Sequence, residues 1–483
     1  MDKRSNVLSN ILWRFGERVC AQVVSFVVTV VIARILDPEA FGVIAMVNVF
    51  IEFADVLVAS GFGSAVIQKK DADELDYSSA FFFQLALSLL FYVIIFFAAP
   101  SIQTFYGNRY LHLSTIVRVL GLRVFLVALN SMQNAYTSKH LQYKKFFYAT
   151  IVGTVISAIV GITAACFGFG VWALVMQYLT NSIIDTIVLW ITVEWHPTLC
   201  FSFRRLRVLY SFGWKMLAAA LVDIGYRKMN DFLIGKMYSP SDLAFYNRGS
   251  SYPNLIVSNI NTSIDNVLFP VMSNAQDSRD KIKAMARKSI KTSAYIMYPM
   301  MMGLAICGDP IIRLMLTEKW LPTVPFLRIF CFIYALQPIN TANINAIKAM
   351  GRSDLYLKLG VMKDAVGVAL LFIAAKYGVF WIAVSGAVSG IINVVINAFP
   401  NRKLLDYRFL EQIKDVLSPT VLSALMGMIV WLIGTLNVPD LAKLCIQVPV
   451  GVIVYICLSV LFKVDSFQYV ISTLKRMIKK RAL

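Results

Sequence analysis

Long apolar runs separated by short polar breaks account for almost the whole chain. A bilayer-spanning helix needs about 20 mostly apolar residues. Fourteen segments meet that requirement: 10–35, 40–66, 77–99, 111–137, 146–167, 170–193, 210–237, 243–271, 286–307, 323–349, 356–376, 378–399, 414–435 and 441–462. The breaks Gly168-Phe169-Gly170, Lys376-Tyr377-Gly378 and Asn437-Val438-Pro439-Asp440 are hairpin connections, too short to hold a folded domain. The pattern predicts an all-α polytopic membrane protein with about 14 transmembrane helices.

The breaks repeat. Leu36-Asp37-Pro38-Glu39-Ala40-Phe41-Gly42 is echoed by Tyr238-Ser239-Pro240-Ser241-Asp242-Leu243-Ala244-Phe245-Tyr246. Gly107-Asn108-Arg109-Tyr110, with Arg118 and Asn130, returns as Thr317-Glu318-Lys319-Trp320, with Arg328 and Asn340. Gly170-Val171-Trp172-Ala173 returns loosely as Gly378-Val379-Phe380-Trp381. A nearly constant offset of about 200 residues, kept in order, reads as an internal duplication. The last two segments have no counterpart. The expected organisation is a first six-helix lobe at 1–195, a cytoplasmic amphipathic connector at 196–209 and a second six-helix lobe at 210–400. A C-terminal transmembrane helix pair at 401–463 and a basic cytoplasmic tail at 464–483 complete it.

Composition agrees: 58% of the 483 residues are hydrophobic and mean hydropathy is +0.68, too apolar for a soluble domain. A formal net charge of +19 raises the question of nucleic acid. The Lys and Arg, however, are dispersed one cluster per loop, from Lys3/Arg4 through Lys139/Lys144/Lys145 to Lys463–Arg481, mostly in every second connection. Positive-inside topology explains this, puts both termini in the cytoplasm and excludes a nucleic-acid partner. The N-terminal apolar run is too long for a signal h-region and is expected to be retained. Seven scattered cysteines and three histidines offer no disulfide framework or metal site.

Ionisable groups at bilayer depth cost about 2.5 to 3.5 kcal/mol each, so they face an interior or a cavity. Here they fall on stripes: Arg14, Arg18, Gln22, Ser25 and Thr29 on the first segment; Asn48, Glu52 and Asp55 on the second; Arg123, Asn130, Asn134 and Thr137 on the fourth. Asp223, Arg227 and Asp231 share a face of the seventh, with Lys228 beside them. Arg248, Tyr252, Asn259, Thr262 and Asn266 follow on the eighth, Gln337, Thr341 and Asn345 on the tenth, and Ser385, Ser389, Asn393 and Asn397 on the twelfth. Two readings stand for these groups. Charges near helix ends, such as Arg14, Arg18, Arg118 and Arg328, either snorkel or line a path. Asn and Ser stripes either line a path or join helices through hydrogen bonds of about 0.6 kcal/mol. Glu52 and Asp55 are either partners of the arginines or ion sites. There is no phosphate loop, and no Ser/His/Asp or His/Glu constellation stands out, so no enzyme is expected. A membrane-embedded glycan polymerase or acyltransferase is the competing enzymatic reading.

Ala33-Arg34-Ile35-Leu36-Asp37-Pro38-Glu39-Ala40-Phe41-Gly42-Val43-Ile44-Ala45-Met46, followed by Ala59-Ser60-Gly61-Phe62-Gly63-Ser64-Ala65-Val66-Ile67-Gln68, resembles the N-terminal signature of Wzx-type polysaccharide flippases. These belong to the multidrug/oligosaccharidyl-lipid/polysaccharide exporter superfamily. The Gly170-Val171-Trp172-Ala173-Leu174 turn, the Glu318-Lys319-Trp320 loop and the extra C-terminal pair extend the resemblance over the chain, toward the colanic-acid, lipopolysaccharide and teichuronic-acid exporters. Phe245-Tyr246 stands where the pattern has Phe-Gly. The resemblance implies a flippase that moves undecaprenyl-diphosphate-linked oligosaccharide repeat units across the bacterial cytoplasmic membrane for lipopolysaccharide, capsule or exopolysaccharide biosynthesis. It implies two lobes around a cationic cavity with alternating access. On that reading Arg14, Arg18, Arg123, Arg227, Lys228 and Arg248 bind the diphosphate, as guanidinium forks suit phosphate oxygens. Glu52, Asp55, Asp223, Asp231 and Asp265 neutralise them or carry a coupling H+ or Na+, with no other cofactor. Asn48, Asn130, Asn134, Tyr252, Asn259, Asn340, Asn393 and Asn397 supply polar lining. The expected partners are the lipid-linked oligosaccharide, membrane lipids and the pathway's polymerase and glycosyltransferases, with the chain a monomer. The alternative within the superfamily is a cation-coupled drug exporter.

Overall fold

The structure is a computed structural model describing residues 20–472 apart from 60, 108, 109 and 111, with 263 described by its backbone alone. Among the described residues every regular element is helical. In chain order these are α1 (Cys20–Ile35), then α2 (Pro38–Ala59), α3 (Phe62–Gln68), α4 (Glu74–Phe105), α5 (Leu113–Lys139), α6 (Tyr143–Cys166), α7 (Val171–Thr192), α8 (Phe203–Met237) and α9 (Pro240–Ser273). There follow α10 (Arg279–Ile306), α11 (Gly308–Leu316), a 3-10 turn (Glu318–Thr323), α12 (Val324–Ala335), α13 (Gln337–Ala349), α14 (Ser353–Ala374), α15 (Val379–Leu405), α16 (Phe409–Gly434) and α17 (Asp440–Leu461).

Among the described residues, helix or broken helix occupies each of the fourteen expected segments, the first from Cys20 onward. Among the described residues ten are long and apolar enough on their own to cross a membrane, or eleven if α10 and α11, bent by 68°, form one span. The chain is a multi-pass membrane protein, and the shortfall from fourteen has a physical origin. The described part of α1 is short. Helix α9 carries Asn247, Arg248, Asn254, Asn259 and Asn261, and α14 carries Lys358, Lys363 and Asp364.

The chain forms two compact units that divide between Ala244 and Phe245. In the first, α5 packs against α2, α4 and α7, and α6 pairs with α7. Helix α8, placed in the second lobe by the sequence repeat, packs here against α2, α3 and α4. Two close approaches fix α8 and the start of α9. Gly61 takes φ +96°, a conformation open to glycine, and a Cβ there would lie 2.4 Å from the Gly213 carbonyl oxygen. A Cβ on Gly42 would lie 1.8 Å from the Pro240 carbonyl oxygen. The two repeated breaks therefore touch, each opening a helix with proline at its first position, where the missing N–H costs nothing. Ser239 caps the later one: its Oγ accepts from the Asp242 N–H at 3.1 Å, and its own N–H donates to Asp242 Oδ2 at 3.2 Å.

The connector at 196–209 is stitched to the start of α4. Trp195 Nε1 donates to Glu74 at 3.0 Å, the Thr198 N–H to Ser78 Oγ at 3.1 Å and the Ser202 N–H to Ser79 Oγ at 2.9 Å. From Phe203 onward the connector is already α8.

In the second unit α10 packs against α12, α13 and α16, and α15 against α12, α13 and α14. Arg328 repeats a contact of the first unit. Arg118 Nε donates to the Phe96 carbonyl at 3.2 Å, and Arg328 Nε to the Ala305 carbonyl at 3.2 Å, each reaching back to the preceding long helix. The C-terminal pair is bound in: Arg287 and Tyr407 donate to the buried Asp415 carboxylate at 2.7 Å each. Burial and that carboxylate hold the Tyr407 hydroxyl above its ordinary range. Tyr455 donates to the Tyr295 carbonyl at 2.8 Å. Of the basic tail, Tyr469 stacks under Lys288 Nζ at 3.7 Å, and the tail from 473 on lies outside the described residues.

Gly42→Ala is expected to lower the melting temperature in detergent sharply, because backbone must move. Gly360→Ala, with open space around it, is expected to be neutral or stabilising by up to about 1 kcal/mol. Thermal size-exclusion profiles of the two variants check this.

Candidate functional site

The stripe on α2 is the spine of the charged site. Glu52 and Asp55, one turn apart, face α8 and α5 respectively. Arg123 Nη2 of α5 lies 3.4 Å from Asp55 Oδ2, the side chains 28% and 14% exposed. Lys228 Nζ of α8 lies 3.0 Å from Glu52 Oε1 and 3.4 Å from Asp231 Oδ2. Three helices thus bring five of the expected site residues into two adjoining ion-paired groups. Half-buried charges in such helices hold their positions because leaving either partner alone costs more than the pair.

Beside Arg123 the first unit holds an open cavity of about 610 Å³. Of the expected residues Arg123, Asn130 and Asn134 line it, all from α5. The opposite wall was missed from sequence: Tyr178, Asn181, Ser182 and Asp185 of α7. Their helical spacing puts them on one face, and that periodicity was the available signal. The lining is rich in amide and hydroxyl groups around one guanidinium, a chemistry suited to hydroxyl-bearing, anionic ligands.

The other expected residues are distributed differently. Arg14 and Arg18 lie outside the described residues. Arg227 and Asp223 pair with each other at 2.8 Å on an exposed face of α8. Asn48 is half-buried on α2, and Tyr252 half-buried on α9. In the second unit Arg248 lies 5.7 Å from the ring centre of the fully buried Trp320. Asp265 accepts from Asn345 Nδ2 at 2.6 Å, and Asn259 donates back to its own helix at Leu255. Asn397 is buried and donates to Asn340 Oδ1 at 2.8 Å. For these two asparagines the interhelical reading, joining α13 to α15, holds over lining. Asn343, Asn401 and Gln412 extend the same ladder to α16. Asn393, on α15, keeps a buried Oδ1 with no hydrogen-bond partner.

Fold and site together define a helical, multi-pass membrane protein with charge and a polar cavity built among its spanning helices. The chain belongs to a family described as polysaccharide biosynthesis protein, whose model matches residues 31–325. It is similar to the teichuronic acid biosynthesis protein TuaB of Bacillus subtilis (strain 168), 24% identical over 94% of this chain and 95% of the relative. It is also similar to the lipopolysaccharide biosynthesis protein WzxC of Escherichia coli (strain K12), 22% identical over 83% and 81%. Among solved structures the lipid II flippase MurJ in an inward closed conformation shares the fold, with a TM-score of 0.76 and 16% identity over 94% of this chain and 99% of that one.

Lys228→Met is expected to destabilise the protein by about 1 to 3 kcal/mol, because it strands Glu52 and Asp231. The triple variant with Glu52→Gln and Asp231→Asn is expected to recover part of that loss. Denaturation midpoints of the single and triple variants give the comparison.

Proposed function

We propose that this protein is a flippase for undecaprenyl-diphosphate-linked oligosaccharide repeat units, serving lipopolysaccharide, capsule or exopolysaccharide assembly. The observation that carries this reading is the cavity of the first unit, where the Arg123 guanidinium stands among asparagines and serines. The fold supports it, being that of a solved structure titled as a lipid II flippase, as do relatives named for teichuronic acid and lipopolysaccharide biosynthesis. A diphosphate crossing a bilayer needs fixed cations in a path lined by protein, and arginine forks meet phosphate oxygens bidentately. A glycan needs amide and hydroxyl partners to replace its water.

The protein acts, on this reading, in the bacterial cytoplasmic membrane with both termini cytoplasmic. It works as a monomer by alternating access of its two units, and hands its glycan on to a polymerase. Arg123, Arg227, Lys228 and Arg248, with Arg14 and Arg18, are the proposed cations for the diphosphate. Glu52, Asp55, Asp223, Asp231 and Asp265 are their proposed counter-charges in the empty state.

In cells lacking the native gene and complemented with variants, Arg123→Ala is expected to reduce exported polysaccharide by about tenfold or more, equivalent to about 1.4 kcal/mol or more. Lipid-linked repeat units are expected to accumulate inside. Wild-type export by Arg123→Ala, Arg227→Ala and Arg248→Ala alike would refute the cationic site.

A further inference from the structure

The geometry points to Asp185 of α7 as a proton-binding site that loads and unloads the cavity of the first unit, a role that rests on the transport reading above. Asp185 stands about two turns inside the end of α7 at Thr192, on the cavity wall. Its Oδ1 is buried and accepts no hydrogen bond. That oxygen is seated against α6 at the one kind of residue that admits it, for a Cβ at Gly153 would lie 2.0 Å away.

The charged and titratable groups around it are engaged elsewhere. Arg123 of α5, across the cavity, is bridged to Asp55 of α2 at 3.4 Å. On α6, Lys145 pairs with Glu194 at 3.1 Å and Lys144 lies over Tyr148; Tyr178 shares α7 and lines the same wall. Among the described residues none forms an ion pair with Asp185.

A carboxylate at this depth with no counter-charge and one sealed oxygen is costly. A carboxylic acid is not, because it needs a single acceptor for its O–H. With Oδ1 sealed against Gly153 and no counter-charge beside it, Asp185 therefore takes a proton from water. When water or the hydroxyl donors of a ligand reach the other oxygen, the carboxylate is stabilised and the proton leaves to water. No other bond changes. Uptake on one side of the membrane and release on the other ties the occupancy of the cavity to a pH gradient. Sodium fits less well, since the sealed Oδ1 has no open side to offer as a ligand.

The test is infrared spectroscopy of the purified full-length protein, without substrate, across a pH series. Wild type is expected to show a protonated-carboxyl band at neutral pH that is missing in Asp185→Asn and displaced in Asp185→Glu. A band unchanged in both variants overturns the proposal, and a wild-type band erased by Na+ at fixed pH overturns it in favour of a sodium site. In liposomes the ratio of glycolipid translocation rates with and without an imposed pH gradient is expected to fall to unity in Asp185→Asn, and an undiminished ratio overturns the coupling role. Failure of the wild type to translocate refutes the transport reading alone, because the infrared band is read without substrate.

Discussion

A charge inside a membrane must be matched, and the pairing of α2 with its neighbours is the constraint on which this architecture rests. Glu52 and Asp55 stand one turn apart, so a single helix offers carboxylates to Lys228 of α8 and Arg123 of α5 at once. The site is thereby spread over helices far apart in sequence. Because breaking one pair strands a charge, the relative position of α2, α5 and α8 is held by these charged groups. The glycine approaches act in the same direction. Gly42 against Pro240 and Gly61 against Gly213 let backbones meet without side chains between them, and small residues at such crossings are how membrane helices pack closely.

The two units handle polar groups in contrasting ways. In the first, Asn130, Asn134, Asn181 and Asp185 surround open space. In the second, Asn340, Asn343, Asn397, Asn401 and Gln412 bond to one another in a ladder between α13, α15 and α16. The same residue types thus make a cavity in one unit and cement in the other. The difference fits a duplicated module whose copies have diverged, one setting its polar side chains around open space and the other joining helices with them.

Much of this is written locally in the chain. The helical segments follow from apolar length, and the duplication shows in Arg118 and Arg328, whose guanidinium groups make equivalent bonds to the preceding helices. The α5 wall of the cavity follows from the spacing of Arg123, Asn130 and Asn134. What the chain does not display locally is tertiary. Nothing in sequence says that Gly153 of α6 opens a seat for Asp185 of α7, or that Asn397 meets Asn340 instead of a cavity. Helix α8 looks by repeat like the start of the second lobe, yet Gly213 sets its backbone against Gly61 and Gly235 lies against the side chains of Met46 and Tyr106, all in the first unit. Nor does the sequence display that the connector is tied to the start of α4, as by the Thr198 N–H on Ser78 Oγ.

The central claim is that this chain moves a lipid-linked glycan between leaflets through a cationic site. The most direct measurement uses purified protein in liposomes and follows the rate at which an undecaprenyl-diphosphate oligosaccharide becomes accessible on the opposite leaflet. The account predicts translocation well above that of protein-free liposomes, slowed severely by Arg123→Ala in protein that still folds. No translocation of any of several glycans, together with gradient-driven efflux of a cationic dye, would contradict it and mark a drug exporter instead.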